Sequence, residues 1–175
     1  MKFSVLMTIY NGDCVAYLQQ SFLSLVNQTL IPNEIILVVD GPILDELQNY
    51  IFQLEKEYSK LLKVVRLKKN VGLASALNIG LESCSYDLIA RMDTDDYSVP
   101  DRFEKQLLCI QEHPWVSLVG SSYAQYDKTL KKYIGSRKLP YSGKPLLNYS
   151  KLRTPINHVT IMFKKFDLMR SGGYP

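Results

Sequence analysis

Short apolar runs rich in β-branched residues alternate with stretches of helical periodicity over the first two thirds of the chain. Phe3 to Ile9 (FSVLMTI) reads as a buried strand that ends in Tyr10-Asn11-Gly12. From Val15 to Val26, Leu18, Phe22, Leu25 and Val26 recur at helical spacing. Glu34 to Asp40 is a second strand, stopped by Asp40-Gly41-Pro42. Ile43 to Tyr58 is helical, with Leu47, Ile51 and Leu54 on one face. Leu62 to Leu67 is a third strand, ended by Lys68-Lys69-Asn70. Gly72 to Leu81 carries Leu73, Ala76, Leu77, Gly80 and Leu81 at helical spacing. Asp87 to Met92 is a fourth strand. A helix opens at Pro100, with Phe103, Leu107 and Leu108 facing inward, and stops at His113-Pro114. Trp115 to Val119 is a fifth strand. This alternation predicts an α/β domain, a mostly parallel sheet with helices on both faces and right-handed crossovers.

The alternation fails after about residue 120. Ser121 to Tyr133 is polar with scattered tyrosines, and Leu139 to Tyr149 is broken by Pro140, Gly143 and Pro145. Both read as irregular cover over the sheet edge. Ile156 to Lys164 is strand-like, and Phe166 to Arg170 is a short helix closed by Ser171-Gly172-Gly173. No repeat, low-complexity segment or interdomain linker appears, so residues 1–175 read as a single domain.

Composition excludes several classes. With 175 residues, 46% hydrophobic and 22% charged, the chain can build a real core and is neither fibrous nor disordered. Cys14, Cys84 and Cys109 are odd in number and widely spaced, which argues against zinc and disulfides. They read as reduced, buried, small apolar residues. The opening apolar run is too short for a signal peptide. No stretch approaches the ~20 apolar residues of a membrane span. A cytoplasmic location is therefore expected, with no nucleic-acid partner. Charge is unevenly spread. Residues 1–127 hold 10 Lys/Arg against 16 Asp/Glu, whereas 128–175 hold 11 against Asp167 alone. The basic part, including Lys131, Lys132, Arg137 and Lys138, is either a solvated surface or a patch for phosphates or anionic lipid. The second reading would put the protein at the inner face of the plasma membrane.

The chemistry concentrates at Ile89-Ala90-Arg91-Met92-Asp93-Thr94-Asp95-Asp96-Tyr97, where a buried strand ends in three carboxylates. Like charges this close repel unless a cation sits among them. Hard oxygen ligands suit Mg²⁺ or Mn²⁺, which keep positions open for substrate phosphates. The alternative is a solvated loop whose Asp95 or Asp96 caps the next helix. In parallel sheets ligands bind beyond the carboxyl ends of strands. Thr8, Tyr10 and Asn11, then Asp40, then Lys69 and Asn70, then Asp93, Asp95 and Asp96 all fall at such ends. Asp40-Gly41-Pro42 also reads as a plain turn. His158 on an apolar stretch reads more simply as a structural histidine, and Arg102 as a local partner of Asp101 or Glu104, or else as a cation drawn to the nearby acidic site.

With these pieces placed, the chain resembles the family 2 glycosyltransferases of the GT-A fold, most of all those of bacterial capsule and exopolysaccharide assembly. The carrying segments run in order along the chain. They are Ser4-Val5-Leu6-Met7-Thr8-Ile9-Tyr10-Asn11, Ser24-Leu25-Val26-Asn27-Gln28-Thr29, and Glu34 to Gly41. Asn70-Val71-Gly72-Leu73-Ala74, Asp93-Thr94-Asp95-Asp96, Pro100-Asp101-Arg102-Phe103 and Asn157-His158-Val159-Thr160 follow.

The resemblance implies a nucleotide-diphosphate sugar donor, with uridine preferred. The acceptor would be a saccharide or a lipid-linked sugar. Residues 1–120 would be the nucleotide-sugar half and 121–175 the start of an acceptor half. Thr8 and Tyr10 would flank the nucleoside and Asp40 would accept a hydrogen bond from the base. Lys69, Asn70, Asp93 and Thr94 would lie along the donor, and Asp95 and Asp96 would hold Mn²⁺ or Mg²⁺ on the diphosphate. His158 would lie near the diphosphate or acceptor. The family's general base follows the Gly-Gly-Tyr segment, here Gly172-Gly173-Tyr174. It is therefore expected beyond Pro175, and a domain truncated before its base is the resulting expectation.

Three competing functions fit less well. A sugar-phosphate nucleotidyltransferase needs a Gly-rich basic loop after the first strand, which Thr8 to Asp13 is not. A signalling receiver domain needs its acids after the first and third strands, whereas here they follow the second and fourth. A non-catalytic nucleotide-sugar binding module shares the donor site.

Overall fold

The computed structural model of the protein describes residues 1–127, 132–137 and 143–175. Its elements are β1 (Phe3–Ile9), α1 (Val15–Val26), β2 (Glu34–Val39), α2 (Asp45–Glu57), β3 (Leu62–Arg66), α3 (Leu73–Ser83), β4 (Leu88–Arg91) and α4 (Arg102–Glu112). Then come β5 (Leu118–Val119), β6 (Tyr123–Tyr126), β7 (Tyr133–Arg137), α5 (Gly143–Ser150), a 3₁₀ turn (His158–Thr160), β8 (Met162–Lys164) and α6 (Lys165–Arg170).

The central sheet runs β3-β2-β1-β4-β8-β5. β1 to β4 are mutually parallel, which brings their carboxyl ends to one edge. β8 enters between β4 and β5 and is antiparallel to both. Pleating then sorts side chains by parity. Phe3, Val5, Met7 and Ile9 of β1 join Ile35, Leu37 and Val39 of β2 against α1, α2 and α4. Leu6, Ile36 and Val38 turn to the opposite face, where Ala76, Leu77 and Leu81 of α3 cover them. Each such fully buried aliphatic contributes roughly 1.5–3 kcal/mol. Helices therefore cover both faces, as the alternation predicts.

Gly80 sets how closely α3 packs. A Cβ there would lie 2.5 Å from Leu6 Cδ1 and 2.7 Å from Val38 Cγ2, so only hydrogen lets the helix sit this low on the sheet. α2 is aided by Asp45 and Glu46 in its first turn and Lys56 in its last, matching the helix dipole.

Several expectations are corrected. Leu73 and Leu108 are exposed, and Ile110 fills the inward position on α4 instead. The fifth strand is only Leu118–Val119. Among the described residues of the polar tract after residue 120, β6 pairs with β7 as an antiparallel ribbon with a register shift at Gln125/Tyr126. Residues 143–150 form a helix rather than a broken loop. The strand expected over 156–164 is a 3₁₀ turn followed by three strand residues. Cys84 is buried and Cys109 half-buried, but Cys14 is exposed; all three are free thiols. Lys131, Lys138 and Pro140 lie outside the described residues. Among the described residues no helix is long and apolar enough to cross a membrane.

Candidate active site

The acid loop between β4 and α4 is held by Ser21 and Ser24 of α1 and by Gln28, two residues past the end of that helix. Ser21 Oγ donates to Asp93 O (2.8 Å), and Ser24 Oγ accepts the N–H of Ser98 (3.0 Å). Gln28 Nε2 donates to Ser98 O (3.2 Å) and Val99 O (2.8 Å), while Gln28 Oε1 accepts the N–H of Phe103 (3.3 Å). All three side chains are buried. Loop backbone that would otherwise be buried without partners is thus satisfied by two serines of α1 and the glutamine that follows the helix. Ser21 and Ser24 on an amphipathic helix, with Gln28 just past its end, were the signal available in sequence for this role.

Two buried arginines stand behind the same loop. Arg91, 1% exposed, ends β4. Its Nη1 donates to Leu6 O (3.1 Å) and to Met92 O, and its Nη2 donates to Thr8 Oγ1 (3.2 Å) and pairs with Asp93. Arg102 Nη2 donates to Arg91 O (2.8 Å) and Ile161 O (3.3 Å), and its Nε donates to Gln106 Oε1 (3.1 Å). Arg102 therefore does not pair with Asp101 or Glu104, as its sequence neighbours suggested. Asp101 takes Lys105 (2.5 Å) and Glu104 accepts the Thr29 hydroxyl (2.9 Å). Burial pulls both guanidinium pKa values down, Arg102 to about 10, against the pull of nearby carboxylates.

Asp95 and Asp96 reach solvent at a cleft of about 850 Å³. Crowding by protein pushes the Asp96 carboxyl up to about 6, and Asp95 and Asp93 add to the shift; Arg102 and Arg91 oppose it. Asp13, which sequence reasoning passed over, belongs to this group. Its Oδ1 accepts the Thr94 hydroxyl (3.1 Å) and its Oδ2 the Tyr10 N–H (2.8 Å). Burial, then Asp95 and Asp93, raise its pKa despite those hydrogen bonds. This is a standing excess of negative charge with two hard carboxylates open to the cleft, a donor set that fits a divalent cation. Among the described residues no three His, Cys, Asp or Glu side chains converge as a complete cage. The fit is to a cation that takes its remaining ligands from substrate and water.

The other sequence candidates divide. Thr8 is joined to the acid loop through Arg91. Tyr10 is exposed, its ring lying over Gly12. Asp40 is buried, and its oxygens accept the N–H groups of Val71 (2.7 Å) and Gly72 (3.0 Å) at the start of α3. Asn70 Nδ2 returns a hydrogen bond to Asp40 O (3.3 Å). Gly41 has φ +87°, and a Cβ there would lie 2.5 Å from the Asn70 nitrogen, so the two loops interlock only with glycine present. Lys69 is exposed on the same edge.

His158 lies apart from the open cleft. Its ring meets Tyr174 edge-on at 5.3 Å. His158 Nε2, Tyr174 Oη and Arg91 Nε are all buried without hydrogen-bond partners. Burial, then Arg91, lowers the His158 pKa, and burial raises Tyr174 to about 12, so both stay neutral at pH 7. The backbone of Tyr174 is fixed by Asn78 of α3, whose Oδ1 accepts its N–H (2.8 Å) and whose Nδ2 donates to its C=O (2.9 Å).

The cleft runs from the acid loop to the β6–β7 ribbon. Tyr17 and Gln20 of α1, Tyr97, Tyr123 and Tyr126 line it, with Asn157 and Thr160 below. It is a tyrosine- and amide-rich groove beside a carboxylate pair.

Sheet order, the antiparallel β8 and the acid loop at the end of β4 define a GT-A fold. The chain belongs to glycosyl transferase family 2, whose model matches residues 4–170. It is 38% identical over 174 residues to the amylovoran biosynthesis glycosyltransferase AmsE of Erwinia amylovora, covering 98% of this chain and 63% of that protein. It is 36% identical over 178 residues to the Escherichia coli UDP-Gal:alpha-D-GlcNAc-diphosphoundecaprenol beta-1,3-galactosyltransferase, covering 99% of this chain and 62% of that one. The chain thus spans somewhat under two thirds of these relatives. Among solved structures it is similar to S. aureus TarS in complex with UDP (TM-score 0.73, 23% identity, 99% of this chain and 50% of that one). It is similar also to the mannosyltransferase PcManGT of Pyrobaculum calidifontis in complex with GDP-Man and Mn²⁺ (TM-score 0.71, 18% identity, 99% and 47%).

Proposed function

We propose that this chain carries the donor-binding part of an inverting glycosyltransferase of bacterial cell-surface polysaccharide synthesis. The donor would be a UDP-sugar and the acceptor a saccharide, free or linked to a lipid diphosphate. The observation that carries the reading is the pair Asp95 and Asp96, open to the cleft and in no salt bridge among the described residues, at the carboxyl end of a parallel strand. Asp40 is assigned the uracil contact, since a carboxylate suits the N3–H of that base; its oxygens already accept the Val71 and Gly72 N–H groups, so the base would use their remaining lone pairs. The E. coli relative, named for UDP-Gal and a diphosphoundecaprenol acceptor, supports the same donor and acceptor class.

Sugar transfer leaves negative charge on the departing nucleoside diphosphate. Mg²⁺ or Mn²⁺ held by Asp95 and Asp96 would supply charge stabilisation there. Arg91 holds Asp93, and Ser21, Ser24 and Gln28 hold the loop, so the backbone that carries the carboxylates is braced before the donor arrives. The cleft's tyrosine rings and amides suit the faces and hydroxyls of a saccharide. Inversion requires a general base for the acceptor hydroxyl, and no residue of this chain is assigned that role.

The test is release of UDP from UDP-galactose, UDP-glucose and UDP-N-acetylglucosamine, with and without a GlcNAc-diphosphate lipid acceptor. Acceptor-stimulated release supports transfer. UDP binding without release would leave a donor-binding unit. Selective binding of GDP would overturn the uridine assignment.

A further inference from the structure

We propose that Arg91 is a positioning residue, one that ties the nucleoside side of the donor site to its acid loop. The inference rests on the donor reading above. Arg91 is one of the largest fully buried side chains in the protein, and it is a cation. A buried ion pair is weak support for stability, because apolar residues of like volume often serve as well. What this guanidinium does is geometric. Nη2 reaches both Thr8 Oγ1, near the end of β1, and the Asp93 carboxylate, the first of the acid loop. Nη1 anchors the fork on the carbonyl of Leu6 in β1 and on that of Met92, just past the end of β4. Arg102 fixes the strand end that carries it by donating to Arg91 O at 2.8 Å.

β4 stops at the level of Leu6, its last paired partner, while β1 runs on to Ile9. Beyond that level, sheet pairing to β1 no longer sets where Asp93 sits. There Ser21 holds the Asp93 carbonyl, and the Arg91 fork sets where the Asp93 carboxylate points. A planar fork with fixed donor directions can hold a hydroxyl and a carboxylate together with two carbonyls. A lysine ammonium, a single point charge on a flexible stem, cannot reproduce that set.

The test is calorimetric titration of UDP with Mg²⁺ into wild type, Arg91→Lys, Asp93→Asn and the double variant, with melting temperature alongside. Arg91→Lys should weaken UDP by about ten-fold, the loss of one charge-assisted contact. Combined with Asp93→Asn it should add nothing further, because the arginine acts through that carboxylate. Equal binding by wild type and Arg91→Lys, or additive losses, would overturn the inference and leave the donor site standing. No binding by wild type would overturn the donor reading and the inference together. Should Arg91→Lys fail to fold, the Nε–Hε NMR signal of Arg91 in wild type decides. It should move on saturation with UDP and Mg²⁺, and a stationary signal would overturn the inference.

Discussion

Asp40 Oδ2 accepts the backbone N–H of Gly72 at 3.0 Å, and so the end of β2 holds the start of α3. Oδ1 does the same for Val71 at 2.7 Å. Gly72 precedes the first helical residue, so the carboxylate satisfies donors that the helix itself leaves open. Asp40→Ala should cost about 2 kcal/mol in stability, measured by urea unfolding, because two N–H groups lose a charged acceptor. Affinity for UDP measured on the same variant separates two roles. Weakened binding in the folded protein supports the base contact, and unchanged binding limits Asp40 to bracing the loop.

Much of this architecture was legible because burial and strand direction write themselves into hydrophobic patterning. The runs at Phe3–Ile9, Glu34–Val39 and Leu88–Arg91 are near-continuous in apolar residues, as strands covered on both faces must be. The insertion of β8 between β4 and β5 was not legible. Three residues, Met162 to Lys164, carry no information on direction or neighbour. The β6–β7 ribbon was hidden because both strands are largely exposed and polar. At the site, carboxylates at strand ends gave themselves away. Arg91 and Arg102 did not, since charge argues for the surface and only the fold reveals buried carbonyls to receive them. Asp13 was missed for a similar reason: it reads as turn chemistry until Thr94 is brought to it from residues far along the chain.

Asp96 gives a prediction with a definite sign. Its carboxyl is raised from 3.8 to about 6 in the folded protein. Between those values the folded form holds a proton that the unfolded chain has lost, so this group makes stability fall as pH rises through that window. Asp13, also raised, acts in the same direction. Asp96→Asn should therefore raise the metal-free melting temperature at pH 7 and flatten its dependence between pH 4 and about 6. Binding of UDP with Mn²⁺ should decline in wild type as pH falls below about 6, because protonation removes a ligand. Thermal melts and titrations at several pH values check both.

Asn78 holds Tyr174 by both its backbone groups, and neither residue lines the open cleft. Asn78→Ala should lower stability by about 1–2 kcal/mol, two hydrogen bonds' worth. UDP affinity should stay at the wild-type level. Chemical denaturation and a UDP titration on one preparation measure the two quantities.

Gly80 tests the packing of α3. Gly80→Val would drive methyls into Leu6 and Val38, which lie 2.5 and 2.7 Å from where the first carbon must go. Overpacking of this kind costs about 1–3 kcal/mol or forces the helix outward. The melting temperature of Gly80→Val should fall well below that of a change at exposed Leu73 on the same helix, such as Leu73→Ala.

The most direct measurement is a calorimetric titration of UDP into the protein with and without Mn²⁺, on wild type and on Asp96→Ala. Metal-dependent binding that disappears in a folded Asp96→Ala is the predicted result. Wild type that binds no UDP under either condition, or Asp96→Ala that binds as tightly as wild type with Mn²⁺ present, would contradict the assignment of the acid loop as a metal-assisted donor site.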